Sequence, residues 1–207
     1  MPQRARKCRP YDRENASITD SGSSIELPVP ADDGAADHLP GSRLPAIKLP
    51  ATDDRRIGLD ELPMRSVLFV YPAIGGPDRE DLLAEWTALP GARGCTPEAC
   101  SFRDELAEFE ADGVQVFGLS SQSTASQRAH VQELALPYPL ISDESLQLSE
   151  ALSLPTFDFQ GLRYFRRLTL IVADAIVEAA LYPVFPPDEG AAQALGWLRQ
   201  HPHGGAR

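Results

Sequence analysis

Residues 94–120 read GCTPEACSFRDELAEFEADGVQVFGLS, and this stretch decides the fold class. Its first part predicts a helix over residues 96–110, because apolar side chains recur at three- and four-residue spacing with charged ones between them. An Asp-Gly pair ends that helix, and the apolar run at residues 114–119 predicts a buried strand. A helix that leads directly into a buried strand is typical of an α/β domain.

Segments on both sides of this stretch extend the pattern. The sequence SVLFVY at residues 66–71 is continuously apolar, which is typical of a strand that is covered on both faces. The other predicted elements are, in chain order, two short edge strands within residues 44–62, a helix over 124–134, a strand over 138–141, a helix over 145–152, strands over 168–172 and 176–182, and a helix over 191–200. Helical crossovers join parallel strands, whereas the tight turn at Asp174 joins an antiparallel pair. The order therefore predicts a three-layer α/β domain with a mixed central sheet.

The composition narrows the class of protein. The chain has 207 residues, of which 43% are hydrophobic and 24% charged, as in ordinary globular proteins. Its formal net charge of −11 disfavours nucleic acid and anionic membranes as partners. No segment approaches the roughly 20 continuous apolar residues that span a bilayer, and no apolar leader follows the basic N-terminus. We therefore expect a soluble, cytoplasmic protein.

The N-terminal region differs in composition from the rest of the chain. Residues 1–41 mix prolines, serines and scattered charges, which predicts a disordered tail, and residues 42–207 are expected to form the domain. Cys8 lies in this tail between Lys7 and Arg9, which favour a lowered thiol pKa. A cysteine in a mobile segment is most simply incidental, so Cys8 is assigned no catalytic role.

Cys95 occupies the predicted start of a helix. Gly94 precedes it, and Pro97 and Glu98 suit the first turn, where a proline loses no hydrogen bond and an acidic side chain faces the positive helix end. Unpaired amide groups at such a position stabilise a thiolate, which is the nucleophilic form of cysteine. The sequence predicts a reactive Cys95 with a pKa below the free value of about 8.5.

Cys100 lies five residues after Cys95. In an intact helix this spacing separates the two Cα atoms by roughly 8.7 Å, whereas a disulfide requires about 4.4–6.8 Å. Pairing would require the first helical turn to unwind. Cys100 is alternatively a buried core residue. The four histidines show no ligand-like spacing to the cysteines, so no metal is expected. No organic cofactor is expected either.

These residues carry a family resemblance. The stretch that begins GCTPEAC, together with LPYPLISDE at residues 136–144, resembles the peroxiredoxin family, in its bacterioferritin-comigratory or Q-type branch. In weaker form the resemblance extends over residues 44–198. It implies a thioredoxin-like fold and a thiol-dependent peroxidase that reduces hydrogen peroxide or small organic hydroperoxides.

The resemblance also implies roles for individual residues. Cys95 would be the peroxidatic cysteine and Cys100 the resolving cysteine, with the resulting disulfide reduced by thioredoxin or a similar dithiol. Arg167, directly before the strand LTLIV, would fix the thiolate and the peroxide, and Arg166 is the less favoured neighbour. A guanidinium near the sulfur lowers the thiol pKa and supplies hydrogen-bond donors to the departing oxygen.

The chain departs from the family pattern in the loop before Cys95. Residues 73–94 form a long insertion, and Ala92 occupies the position three before the cysteine, where the family has a threonine. Thr87, or backbone donors together with Arg93, are alternative replacements.

Two other functions stay open at this point. A general dithiol-disulfide oxidoreductase normally places its cysteines at CxxC spacing, which this chain lacks. A non-enzymatic redox-sensing or binding module would use the same cysteine switch. The oligomeric state is also left open between monomer and homodimer.

Overall fold

A five-stranded mixed sheet forms the centre of the fold. The structure, a computed structural model, describes residues 11–12, 17–20, 23–63, 65–77 and 80–202. The strands are, in chain order, β1 (Tyr11–Asp12), β2 (Ser17–Asp20), β3 (Ser23–Glu26), β4 (Lys48–Pro50), β5 (Arg56–Gly58), β6 (Arg65–Val70), β7 (Gln115–Ser120), β8 (Leu140–Ser142), β9 (Thr156–Phe159), β10 (Leu162–Phe165), β11 (Leu168–Ala173) and β12 (Ile176–Leu181). The α-helices are α1 (Leu83–Thr87), α2 (Cys95–Asp104), α3 (Leu106–Ala111), α4 (Thr124–Leu134), α5 (Gln147–Leu152) and α6 (Gly190–Gln200).

The central sheet has the strand order β12-β11-β6-β7-β8. Strands β6, β7 and β8 are parallel, while β11 runs antiparallel to β6 and to β12. All six residues of β6 and all six of β11 are buried, as their continuous apolar sequences require for strands covered on both faces. The predicted mixed sheet is confirmed.

Side chains alternate between the two faces of this sheet. On one face, Val67 and Phe69 of β6 join a core that includes residues of α2, α3, α4 and α6. On the other face, Leu68 and Val70 pack with residues of β4, β5 and α5. One core lies on each face of the sheet, so the sheet and the elements packed on its two faces form the three layers that the sequence predicts.

A third, smaller core joins the insertion to a hairpin. Trp86 of α1 is fully buried and contacts Phe157 and Phe159 of β9 and Tyr164 of β10, with ring centroids 4.9–5.6 Å apart. Strands β9 and β10 form this hairpin separately from the main sheet. The insertion is therefore packed against the domain through its own aromatic cluster.

Two local features differ from the sequence predictions. The helix expected over residues 96–110 is interrupted at Glu105, where α2 ends and α3 begins. The β9–β10 hairpin was not predicted, because its two four-residue strands are short and only partly buried, so they lack the apolar run that marks the central strands. The helix predicted over residues 124–134 coincides with α4.

The expected N-terminal tail includes residues that pack on the domain. Ala36 and Leu39 are 4% and 0% exposed and belong to the same core as β4, β5 and α5. Residues 1–10, which include Cys8, lie outside the described residues. The boundary at residue 41 stays a prediction, and the packing of Ala36 and Leu39 favours a domain that begins earlier. None of the helices in the described part of the chain is long and apolar enough to cross a membrane.

Candidate active site

Cys95 is the first residue of α2. Gly94 before it has a φ of 105°, in the left-handed region that favours glycine. A Cβ atom on Gly94 would lie 2.3 Å from Cγ of Pro187, in the turn before α6, so a larger residue would displace one of these two segments. The close approach of Gly94 to Pro187 thus fixes where α2 begins and where the Cys95 side chain lies.

The Cys95 sulfur is enclosed by polar groups. Only 2% of Cys95 is exposed. Nη2 of Arg167 donates a hydrogen bond to Sγ at 3.3 Å, and Sγ lies 3.7 Å from the carbonyl oxygen of Ala92. The backbone of Ala73, which follows β6 after two residues, also hydrogen-bonds the sulfur. Charged and neutral donors therefore surround the thiol.

Arg167 immediately precedes β11 and is 2% exposed. Its Nη2 also donates to the carbonyl oxygens of Gly91 and Arg93, at 3.2 and 3.0 Å. Its Nη1 donates to Oε2 of Glu98, which is fully buried. The guanidinium therefore ties the insertion, the sulfur and the first turn of α2 together.

Arg166, the neighbour of Arg167, instead directs its backbone N–H to the carbonyl oxygen of Pro155.

Burial sets the acidity of the thiol. It raises the pKa of Cys95 above its ordinary value, the charge of Arg167 lowers it, and the charge of Glu98 raises it again. Together these effects raise the pKa of Cys95, so the expectation of a lowered pKa is wrong for this closed site. Sequence spacing places the cysteine at a helix end, but it does not reveal how completely the insertion covers that end.

Glu98 is a further site residue, although its place in the sequence indicates only a favourable first-turn charge. Burial raises its pKa to about 7, although Arg167 acts in the opposite direction. The signal was its spacing, because a residue three positions after Cys95 lies on the same helix face. One arginine thus faces two acidic groups, and its own pKa is raised by Glu98 and Cys95 in spite of burial.

The structure does not join the two predicted redox cysteines. Cys95 is a free thiol, whereas Cys100 is disulfide-bonded, so its partner is not Cys95. Both residues are 2% exposed and lie on the continuous helix α2. A bond between them requires reduced Cys100 and loss of helical geometry at the start of α2.

The missing threonine is not replaced by Thr87. The Thr87 hydroxyl donates to the carbonyl oxygen of Leu83 and accepts from Nη1 of Arg93, so its one hydrogen atom is directed to Leu83 and not to the sulfur. The backbone of Ala73 is the neutral donor to Cys95. Within the described ranges, no group of three or more His, Cys, Asp or Glu side chains is arranged to hold a metal ion.

Comparisons with known proteins place this site in a family. The redoxin family model matches residues 39–195. The chain is 28% identical over 160 residues to chloroplastic peroxiredoxin Q of Suaeda salsa, covering 77% of this chain and 67% of that protein. It is also 28% identical over 162 residues to the Coxiella burnetii protein named peroxiredoxin bcp, covering 76% of this chain and 97% of that protein.

Solved structures share the fold of this chain. Peroxidoxin BcpB of Mycobacterium tuberculosis has a TM-score of 0.65 at 25% identity, covering 80% of this chain and 99% of the other. Peroxiredoxin Q of Xanthomonas campestris has a TM-score of 0.60 at 21% identity, covering 84% and 96%. The thioredoxin-like α/β fold predicted from the sequence is confirmed.

The fold and the matched residues define the class, and the chain belongs to the redoxin family. Within that family its relatives are peroxiredoxins of the Q and bcp type, as the sequence resemblance predicted. The chain is thus a peroxidase of the oxidoreductase class.

Proposed function

We propose that the chain reduces hydrogen peroxide or small organic hydroperoxides with Cys95 as the nucleophile. The observation that carries this proposal is the 3.3 Å contact between Nη2 of Arg167 and Sγ of Cys95 at the start of α2. The thiolate attacks one peroxide oxygen and the O–O bond breaks. Cys95 becomes a sulfenic acid, and the other oxygen leaves as water or an alcohol after taking up a proton.

Arg167 supports both the reactant and the leaving group. Its charge favours the thiolate over the thiol, and its several N–H groups can donate to the oxygen that gains negative charge. Glu98 competes for the same charge through its hydrogen bond with Nη1. Because burial raises the pKa of Glu98 to about 7, Glu98 can hold a proton near neutrality and leave the Arg167 charge to the Cys95 thiolate.

Cys100 is proposed as the resolving residue. Its thiol attacks the sulfenic sulfur, water leaves, and a Cys95–Cys100 disulfide forms, which an external dithiol of the thioredoxin type then reduces. Since Cys100 is disulfide-bonded in this structure, it must first be reduced before it can resolve Cys95. An external dithiol of this kind is available in a reducing cytoplasm, where we propose that the protein acts.

Steady-state peroxide consumption with thioredoxin and its reductase tests the assignment. Cys95→Ser should abolish turnover, because a serine hydroxyl is not appreciably ionised near neutral pH. Cys100→Ser should allow one oxidation of Cys95 and then stall, with sulfinic acid forming at higher peroxide. Retained turnover in Cys95→Ser would contradict the proposal.

A further inference from the structure

A segment outside the residues matched by the redoxin model crosses the active-site region. Residues 27–33, here called the strap, read LPVPADD. Leu27 at its start is 4% exposed, and Ala36 just beyond its end is also 4% exposed, whereas Val29 between them is 65% exposed. The strap is therefore anchored at both ends and exposed in its middle.

The strap forms one wall of a cavity beside the catalytic arginine. The cavity volume is about 10 Å³, room for about one water-sized molecule. Pro30 of the strap lines it together with Gly91 of the insertion, Phe157 of β9, Tyr182 and Arg167. Most of the wall is apolar, and the two charges in the lining are those of Arg166 and Arg167.

Arg167, whose guanidinium contacts the Cys95 sulfur, also lines this cavity. Nη2 of Arg167 bonds both Sγ of Cys95 and the carbonyl oxygen of Gly91, and Gly91 is in the cavity wall. Nε of Arg167 is buried and has no hydrogen-bond partner among the described residues. An unsatisfied buried donor is costly, so a small oxygen-containing molecule that reached this nitrogen would gain by accepting from it.

A side-chain hydrogen bond ties the strap to the wall of the cavity. The hydroxyl of Tyr182 donates to Oδ1 of Asp33 at 3.0 Å. Burial and, to a lesser extent, Asp33 raise the pKa of Tyr182 to about 12, so the hydroxyl keeps its proton at neutral pH. Asp33 itself is exposed, whereas Tyr182 lines the cavity. The bond therefore joins the outer surface of the strap to the wall of the cavity.

We propose that the strap is a size gate for the substrate. With the Tyr182–Asp33 bond formed, the cavity beside Arg167 admits a peroxide about as small as hydrogen peroxide. Organic hydroperoxides with a bulky group enter only when the strap is released. This inference rests on the proposed function for its substrate, but the gate itself controls access to Cys95 and can be measured without peroxide.

The test compares bulky and small reagents on the full-length, fully reduced protein. Cys95 is oxidised by cumene hydroperoxide or hydrogen peroxide in a stopped-flow instrument, and separately alkylated by a fluorescein maleimide or iodoacetamide. Mass spectrometry follows alkylation, and fragmentation of the peptide of residues 94–103 assigns the label to Cys95 rather than to Cys100, which lies in the same peptide. The variants are Tyr182→Phe and Asp33→Ala. The matched control is Asp32→Ala, because Asp32 accepts a hydrogen bond from the backbone of Gly34 and acts on Tyr182 through its charge alone, not through the Tyr182–Asp33 hydrogen bond.

The gate predicts that both variants raise the bulky-to-small rate ratio by about fivefold in both assays, the population shift expected from loss of one ordinary hydrogen bond. Asp32→Ala should keep the wild-type ratio, and so should Asp33→Asn, whose amide oxygen still accepts from Tyr182. Unchanged ratios in Tyr182→Phe and Asp33→Ala would overturn the gate. A raised alkylation ratio in a protein that consumes no peroxide would support the gate and contradict the proposed function.

Discussion

At the scale of single residues, the site depends on how one buried positive charge is shared. Arg167 contacts both the Cys95 sulfur and the Glu98 carboxylate, and all three groups are at least 98% buried. In such surroundings the ionisation of one acidic group opposes that of the other. The reactivity of Cys95 therefore depends on the protonation of Glu98 as well as on Arg167.

Replacing Arg167 by methionine should slow the oxidation of Cys95 by hydrogen peroxide about 100-fold at pH 7, because a charge-stabilising donor is lost. The pKa of Cys95, measured by alkylation rate against pH, should rise. Arg166→Met is the control and should change both quantities little. Equal effects in the two variants would contradict the assignment of Arg167.

The Arg167→Met variant also leaves Glu98 buried without its partner, which costs about 3–5 kcal/mol of folding stability. The double variant Arg167→Met with Glu98→Gln removes this penalty, so it should regain stability while Cys95 oxidation stays slow. Recovery of the rate along with stability would show that Arg167 acts only by supporting the fold.

The pH dependence of stability isolates Glu98. Its pKa is raised to about 7 in the folded protein, so between about pH 4.5 and 7 the folded chain holds a proton that the unfolded chain releases. This contribution is fully present below the unfolded pKa and is lost as the pH rises through the folded value. Glu98→Gln should remove that loss, as measured by urea unfolding at several pH values. Glu108→Gln, an exposed residue paired with Arg199, should keep the wild-type profile.

At the scale of elements, the start of α2 is fixed by a close contact. The sequence places a helix N-terminus at Cys95, since glycine, proline and glutamate occupy the positions that a first turn favours. It gives no sign that Pro187, more than ninety residues later, packs against Gly94. It likewise gives no sign that the insertion carbonyls of Gly91 and Arg93 bind Arg167. Contacts between distant segments are invisible to local pattern.

Gly94→Ala tests this contact. An alanine there adopts the left-handed region at a cost of about 1–2 kcal/mol and also meets Pro187, which adds about 1–3 kcal/mol of overpacking. Gly113→Ala is the matched control, because Gly113 also has a positive φ, of 70°, but no atom within 4 Å of the added Cβ. Chemical denaturation should show a clearly larger loss for Gly94→Ala. Equal losses would mean that the Pro187 contact does not constrain α2.

At the scale of the whole molecule, the layered architecture is readable from the sequence while the cover of the active site is not. The central strands and α4 follow from continuous apolar runs and helical periodicity, which are local properties. The β9–β10 hairpin and the aromatic cluster around Trp86 depend on contacts between the insertion and a region some seventy residues later. Ala92 belongs to this aromatic cluster and its carbonyl oxygen contacts the Cys95 sulfur, so the cluster takes part in the burial that raises the Cys95 pKa.

Trp86 should report the redox state of Cys95. Trp86 shares its core with Ala73 and Ala92, whose backbone groups contact the Cys95 sulfur. Oxidation of Cys95 should therefore change the fluorescence of Trp86. Trp86→Phe should lose the change, whereas Trp197→Phe should retain it, because Trp197 of α6 stacks on His201 and is not part of the aromatic cluster of the insertion. A signal lost only with Trp197 would contradict the link between the insertion and the site.

The most direct test of the central claim is the site of first oxidation. The Cys100→Ser variant, fully reduced, is treated with one equivalent of hydrogen peroxide in the presence of dimedone, which traps sulfenic acid. Peptide mass spectrometry then locates the adduct. The account predicts a near-stoichiometric adduct on Cys95 that is greatly reduced by the further change Arg167→Met. An unmodified Cys95, with the adduct on Cys8 or absent, would contradict the claim that Cys95 and Arg167 form the peroxide-reducing centre.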